Sequence, residues 1–124
     1  RSEAIMTLEH IHNITRSTAP SIDQIAGEKL LSGGGATQLW NAFSDATGQF
    51  HVGHWASDAC KMRVNYTENE LCVLLSGRAA LTDEAGNRQE FGPQQPFVIE
   101  AGFTGTWESL EPVVKIYAIF EPNP

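Results

Sequence analysis

Glu70 opens the apolar run Leu71-Cys72-Val73-Leu74-Leu75, within the stretch YTENELCVLLSG from Tyr66 to Gly77. A carboxylate at the head of such a strand is costly to bury unless a cation, a metal or several hydrogen-bond donors stabilise it. The last apolar run, VVKIYAIF from Val113 to Phe120, supplies a cation. Strand alternation places Val113, Lys115, Tyr117 and Ile119 on one face and Val114, Ile116, Ala118 and Phe120 on the other. The second set is wholly apolar, so the first carries the polar residues that line an interior or face solvent. Glu70, Tyr66, Lys115 and Tyr117, flanked by Trp55, Arg63 and Trp107, would compose a pocket for a small polar molecule. Aromatic walls exclude water and stack on a planar group, while the carboxylate and ammonium fix its orientation. Were a reaction to occur there, Glu70 and Tyr66 are the acid/base candidates and Lys115 the electrostatic stabiliser. The plainer reading makes Glu70 and Lys115 a buried ion pair, the tryptophans core filler and Arg63 a solvated strand residue.

Other metal-ligating and nucleophilic side chains are few. His10 and His12 share one side of an extended chain, whereas His51 and His54, three apart, fall on opposite faces of a strand and are expected at the surface or rim. Cys60 and Cys72 lack the C-x-x-C spacing of a metal or redox site and are expected to be reduced, with Cys72 packing as a small hydrophobe.

The elements that must position these residues are short. From Thr37 onward, β-type runs alternate with turn residues: Thr37 to Asp45, Phe50 to Ala56, Lys61 to Tyr66, Glu70 to Ser76, Arg78 to Thr82, Arg88 to Phe91, Pro96 to Ile99, Gly105 to Leu110 and Val113 to Glu121. The stretch DEAGN, Asp83 to Asn87, predicts a hairpin, Gly77 a tight bend, and FGPQQP, Phe91 to Pro96, a rigid loop. Residues 1 to 36 read as an N-terminal arm, with a helical turn over Ser21 to Leu31 capped by Ser21, and residues 37 to 124 as one domain. The fold class is all-β: a sandwich, jelly roll or small barrel.

The order of these motifs resembles the cupin superfamily. Glu70 to Gly77 reproduces the E-x6-G half of the first cupin motif, and QPFVIEAGFTG, Gln95 to Gly105, stands where the second motif lies. The string from Gly53 to Phe120 is similar to the cupin family that includes the ureidoglycine aminohydrolase type. The resemblance implies a small cupin barrel or jelly roll (RmlC-like). In metal-bearing cupins, two histidines and a glutamate of the first motif and one histidine of the second hold a divalent ion. Aligned on Glu70, the histidine positions fall on Val64, Tyr66 and Gly105, so one of four ligands survives and neither a metal nor another cofactor is expected.

With 15 acidic against 8 basic side chains the formal charge is -7, and the basic residues are scattered, which argues against a nucleic-acid partner. No apolar run approaches the roughly 20 residues of a membrane-spanning helix. No leader of charged, apolar and small residues opens the sequence, so a cytoplasmic protein is expected. Cupins of this kind commonly pair through their sheets, and a homodimer is expected. Three functions follow: a metal-independent small-molecule binder, an enzyme like the aminohydrolase or a sugar isomerase, or a structural or regulatory homodimer with a filled barrel.

Overall fold

The computed structural model describes residues 8–123, and the regular structure among them is entirely β. Eleven strands follow in chain order: β1 (Ser21–Gln24), β2 (Leu30–Gly33), β3 (Ala36–Ser44), β4 (Phe50–Ser57), β5 (Cys60–Asn65), β6 (Asn69–Ser76), β7 (Ala79–Asp83), β8 (Arg88–Phe91), β9 (Phe97–Ile99), β10 (Thr104–Ser109) and β11 (Val113–Phe120). They form a six-stranded sheet, β1-β3-β4-β11-β6-β9, and a five-stranded sheet, β2-β5-β10-β7-β8, in which every pairing is antiparallel. Among the described residues each sheet keeps two unpaired edges, so the all-β jelly roll expected from the sequence is present without full closure into a barrel. Among the described residues no helix is long and apolar enough to cross a membrane.

The turns have local causes. Gly77 links β6 to β7 at φ +85°, and a Cβ there would lie 2.2 Å from the Pro112 carbonyl oxygen, so both conformation and space select glycine. In the β7–β8 hairpin the Asp83 carboxylate accepts from the Asn87 backbone N–H (2.9 Å) and side-chain amide (3.0 Å), while Gly86 adopts φ +91°.

The helical turn expected over Ser21–Leu31 does not form. Ser21–Gln24 pairs with β3 and Leu30–Gly33 with β5, joined by a tight turn in which Lys29 N–H and Leu30 N–H donate to the Ala26 carbonyl. Between Pro20 and Gly27 a helix would have too few residues to repay its nucleation. The open edges of β3 and β5 instead offer the backbone a full ladder, and the segment read as an arm supplies one edge strand to each sheet. Further toward the N-terminus, Trp40 Nε1 donates to the Thr18 carbonyl (2.9 Å) and the His12 ring lies 4.6 Å from Phe43, which holds residues 12–18 against β3.

The core lies between the sheets. Cys72, Leu74, Ile99 and Val113 from the six-stranded sheet meet Ala79, Leu81 and Trp107 from the five-stranded one, with Trp55, Met62, Val64, Tyr66, Phe91, Phe97 and Phe103 around them. On β11 the burial alternates as the parity requires: Val113, Lys115 and Tyr117 are buried, and Val114, Ile116 and Ala118 are half-buried on the outer face. The mixed face therefore points inward and the wholly apolar face outward. Both cysteines are free and buried, Cys60 at the first position of β5 and Cys72 within β6.

Candidate functional site

Lys115 stands opposite Leu74 of β6, and Glu70 lies four residues further along that strand, about 13 Å of extended chain. The two side chains bridge this span by running toward one another over Cys72. Lys115 Nζ donates to Glu70 Oε2 at 2.8 Å, with Cys72 Sγ 3.7 Å away. The ammonium also sits 4.2 Å from the ring centroid of Trp107 and 4.9 Å from that of Trp55, within cation–π range of both. The two indoles meet edge to face at 5.7 Å, and Trp107 is fully buried, its Nε1 donating to Ser109 Oγ at 2.9 Å. Relative exposure is 4% for Glu70 and 5% for Lys115, so the pair is sealed between the sheets.

Burial alone would pull the Lys115 ammonium down, but the Glu70 carboxylate, the Cys72 sulfur and the hydrogen bonds to both together hold the ammonium above its ordinary value. Burial pushes the Cys72 thiol up to about 12, against the opposing pull of Lys115. Burial, and then the charge of Glu70, raises Tyr66 well above the usual phenol value and Tyr117 to about 12. At neutral pH the centre thus holds an ammonium and neutral hydroxyls and thiol. A thiol so placed is a packing group and a poor nucleophile.

The other residues singled out from sequence are not all brought to this point. Tyr66, one residue past the end of β5, lies beside Glu70, with its ring 6.4 Å from that of Phe103. Tyr117 is buried on the same face as Lys115, but its hydroxyl donates to Asn41 Oδ1 at 2.8 Å, over Gly53, where a Cβ would approach that hydroxyl to 2.6 Å. Asn41 had no motif to announce it; Cys72, two residues from Glu70 on the same face, was within reach of parity. Arg63 is exposed and pairs with Thr106 on the outer face of the five-stranded sheet, opposite in direction to Met62 and Val64, so it does not flank the ion pair.

Two clefts approach the centre without exposing it. One, of about 460 Å³, is lined by Trp55, Met62, Arg63, Val64 and Tyr66, with Asp23, Lys29 and Glu68 also at its boundary. The other, of about 620 Å³, has Leu81, Phe91, Phe97, Ile99 and Phe103 as walls, with Arg88 and Glu100 also in its lining. Neither is lined by Glu70, Lys115, Tyr117 or Trp107.

The centre does not fit the divalent metal that the cupin fold implies. Val64 and Tyr66 offer no ligand of the required kind, and a Cβ on Gly105 would lie 2.0 Å from the Thr82 carbonyl oxygen, leaving no room for a side chain there. The carboxylate of Glu70 is already engaged by Lys115. Nor do the histidines substitute. His51 lies in the same cross-strand row as Glu70, two strands away, and its ring nitrogens contact Ser44 Oγ (2.7 Å) and the Gly48 carbonyl (3.0 Å). His54 lies on the outer face and, contrary to the expectation of a surface or rim residue, is buried between Trp40 and Ile116 with no partner for Nδ1. Among the described residues no group of three or more His, Cys, Asp or Glu side chains is placed to hold a metal ion.

Solved structures with the same fold include a protein of unknown function from Pseudomonas syringae pv. tomato (TM-score 0.76, 21% identity, 86% of this chain and 46% of that one). This chain therefore spans about half the length of that protein. An ethanolamine utilization protein, EutQ, from Salmonella typhimurium aligns over 86% of this chain and 99% of its own at TM-score 0.63 and 16% identity. EutQ of Clostridium difficile aligns over 70% of this chain and 64% of its own at TM-score 0.62 and 10% identity. At these identities the likeness shows the fold. No curated protein matches the chain. The description of a EutQ-like cupin domain matches residues 44–117, from the end of β3 to Tyr117, and with it the strands that carry Trp55, Glu70, Trp107 and Lys115: the chain belongs to the EutQ-like cupin domain family.

Proposed function

We propose that this chain is a cupin domain that binds a small polar molecule without a metal, in the 460 Å³ cleft whose walls include Trp55 and Tyr66. The observation that carries the reading is that these two aromatic residues belong both to the cleft and to the surround of the Lys115–Glu70 pair. They set a fixed charge pair beneath an aromatic wall, and Lys29 stands at the boundary of the cleft. Elemental analysis of protein purified without chelators or a metal-affinity tag should find well under one manganese, iron, nickel or zinc per chain. A calorimetric screen of small carboxylates, ureido compounds and sugars should yield a ligand whose affinity falls roughly tenfold or more in Lys29→Ala and in Trp55→Phe. Stoichiometric metal, or binding indifferent to both substitutions, would overturn the reading.

The sealed pair favours a second reading, a filled interior in a homodimer. Its supporting observation is the outer face of the six-stranded sheet, where Leu71, Val98 and Phe120 are exposed beside half-buried Val73, Ile116 and Ala118, a strip with no charged side chain in a chain of net charge -7. Sedimentation velocity tests it: Leu71→Lys with Val98→Lys should convert a dimer to monomer, and a wild type already monomeric at high micromolar concentration would remove it. The enzyme reading would require turnover of a ureido or sugar substrate that disappears in Glu70→Gln; its acid/base candidates are a carboxylate already paired and a phenol held protonated.

A further inference from the structure

The centre of this molecule has the composition of an ammonium-binding cage, and the cage and its occupant come from different strands. Trp55 of β4, Trp107 of β10 and Glu70 and Cys72 of β6 surround one point, which the tip of Lys115 reaches from β11. These four polar and cation–π contacts of the lysine are made by Nζ, and none uses its attachment to β11. One carboxylate, two indole faces and a soft thiol suit a cation that gains from aromatic faces. They are a poor set for a hard divalent ion, which takes six or more oxygen donors, and among the described residues Glu70 supplies the only carboxylate within the contacts of Nζ.

We propose that the interior is an ammonium site in which Lys115 is the tethered ligand, and that cutting the tether opens the site to free primary alkylammonium ions. Lys115→Ala removes Cγ, Cδ, Cε and Nζ, the atoms of n-propylammonium, and leaves the Glu70 carboxylate without a counter-charge beside an empty channel. Trp55, which lines the 460 Å³ cleft, forms one wall of the cage and gives the ion an approach from solvent. The site stands on the contacts of Nζ and does not depend on a ligand in the cleft.

The test is thermal unfolding of Lys115→Ala at neutral pH, titrated with n-propylammonium chloride. Potassium chloride serves as the control for ionic strength and 1-propanol as the neutral isostere. A saturable rise of about 5 °C or more is expected with propylammonium alone. It should weaken at least tenfold in Lys115→Ala combined with Glu70→Gln, and be absent in Lys115→Met and in wild type, whose cages are filled. An equal response to propanol, or the same response in wild type, would overturn the proposal. Should Lys115→Ala not fold alone, refolding is carried out with propylammonium or with propanol. Recovery with the ammonium only supports the site, and recovery with neither or with both overturns it.

Discussion

The Lys115–Glu70 contact is a buried ion pair, and such pairs are asymmetric in their energetics. Removing one member strands a charge in a low-dielectric interior at a cost of about 3–5 kcal/mol, whereas replacing both with well-packed groups is often near neutral. Urea denaturation should therefore show Lys115→Met losing about that much, and Lys115→Met with Glu70→Gln recovering a large part of it. A double variant no more stable than the single would mean that the pair does not act as a unit. The pH dependence follows from four groups of the same sense. Lys115, Cys72, Tyr66 and Tyr117 all have folded values above their unfolded ones, so each holds its proton longer when folded. Their stabilisation is complete below about pH 9, the ordinary range of the thiol, and is lost as the pH rises through the folded values. The melting temperature should fall above pH 9, with Cys72→Ala removing the earliest part of the decline. His54 acts at the other end. Burial, and then the charge of Arg16, lowers its value, so the stability it contributes is present above about pH 6.5 and lost as the pH falls through the lower folded value. Arg16 from the N-terminal segment, and Trp40 and Ile116 on the flanking strands, offer no counter-charge to an imidazolium. A melting curve that stays flat between pH 7 and 5 in His54→Phe but not in wild type would match this account.

Among the elements, β10 and the β6–β7 bend tolerate little change. The Cα of Gly105 faces the Thr82 carbonyl across the β10–β7 pairing so closely that a side chain there must displace a backbone strand. Gly105→His, which puts back a histidine expected from the metal-binding motif, should lower stability by more than 2 kcal/mol, about the upper range of ordinary substitutions. It should create no manganese or zinc binding by isothermal titration, and a tightly bound metal in that variant would show that the backbone yields. Of the strands, β3 to β11 were readable to within a residue or two because each is a short β-type run bounded by turn residues. β1 and β2 were not, because Ser21–Gln24 and Leu30–Gly33 lack the hairpin and proline-loop signals that flank the equally short β8 and β9, and their state is set by the edges beside them. Nor did strand parity alone identify His54 as buried: its neighbours on the outer face are Trp40 and Ile116, and that contact exists only after β3, β4 and β11 have assembled.

At the scale of the whole molecule, β11 of the six-stranded sheet is the strand where the demands of core and surface meet. Its inward face carries a charge and a phenol into the core, and its outward face is apolar although half open to solvent. Alternation in the sequence determined which residues share a face of β11 and β6, and thereby that Glu70 and Lys115 were able to meet; the motif spacing pointed to the cupin fold and, aligned on Glu70, set the expectation of a site without its histidines. Tertiary structure decided the rest. Whether the mixed face of β11 looked inward was open until the second sheet covered it, because parity fixes which side chains share a face and not which face is buried. Cross-strand register decided that Tyr117 turns to Asn41, that Arg63 points away from the centre, and that the ammonium rests between two indoles from opposite sheets. These contacts join residues far apart in the chain, and a pattern with a period of two residues carries no information about which distant strand will lie alongside.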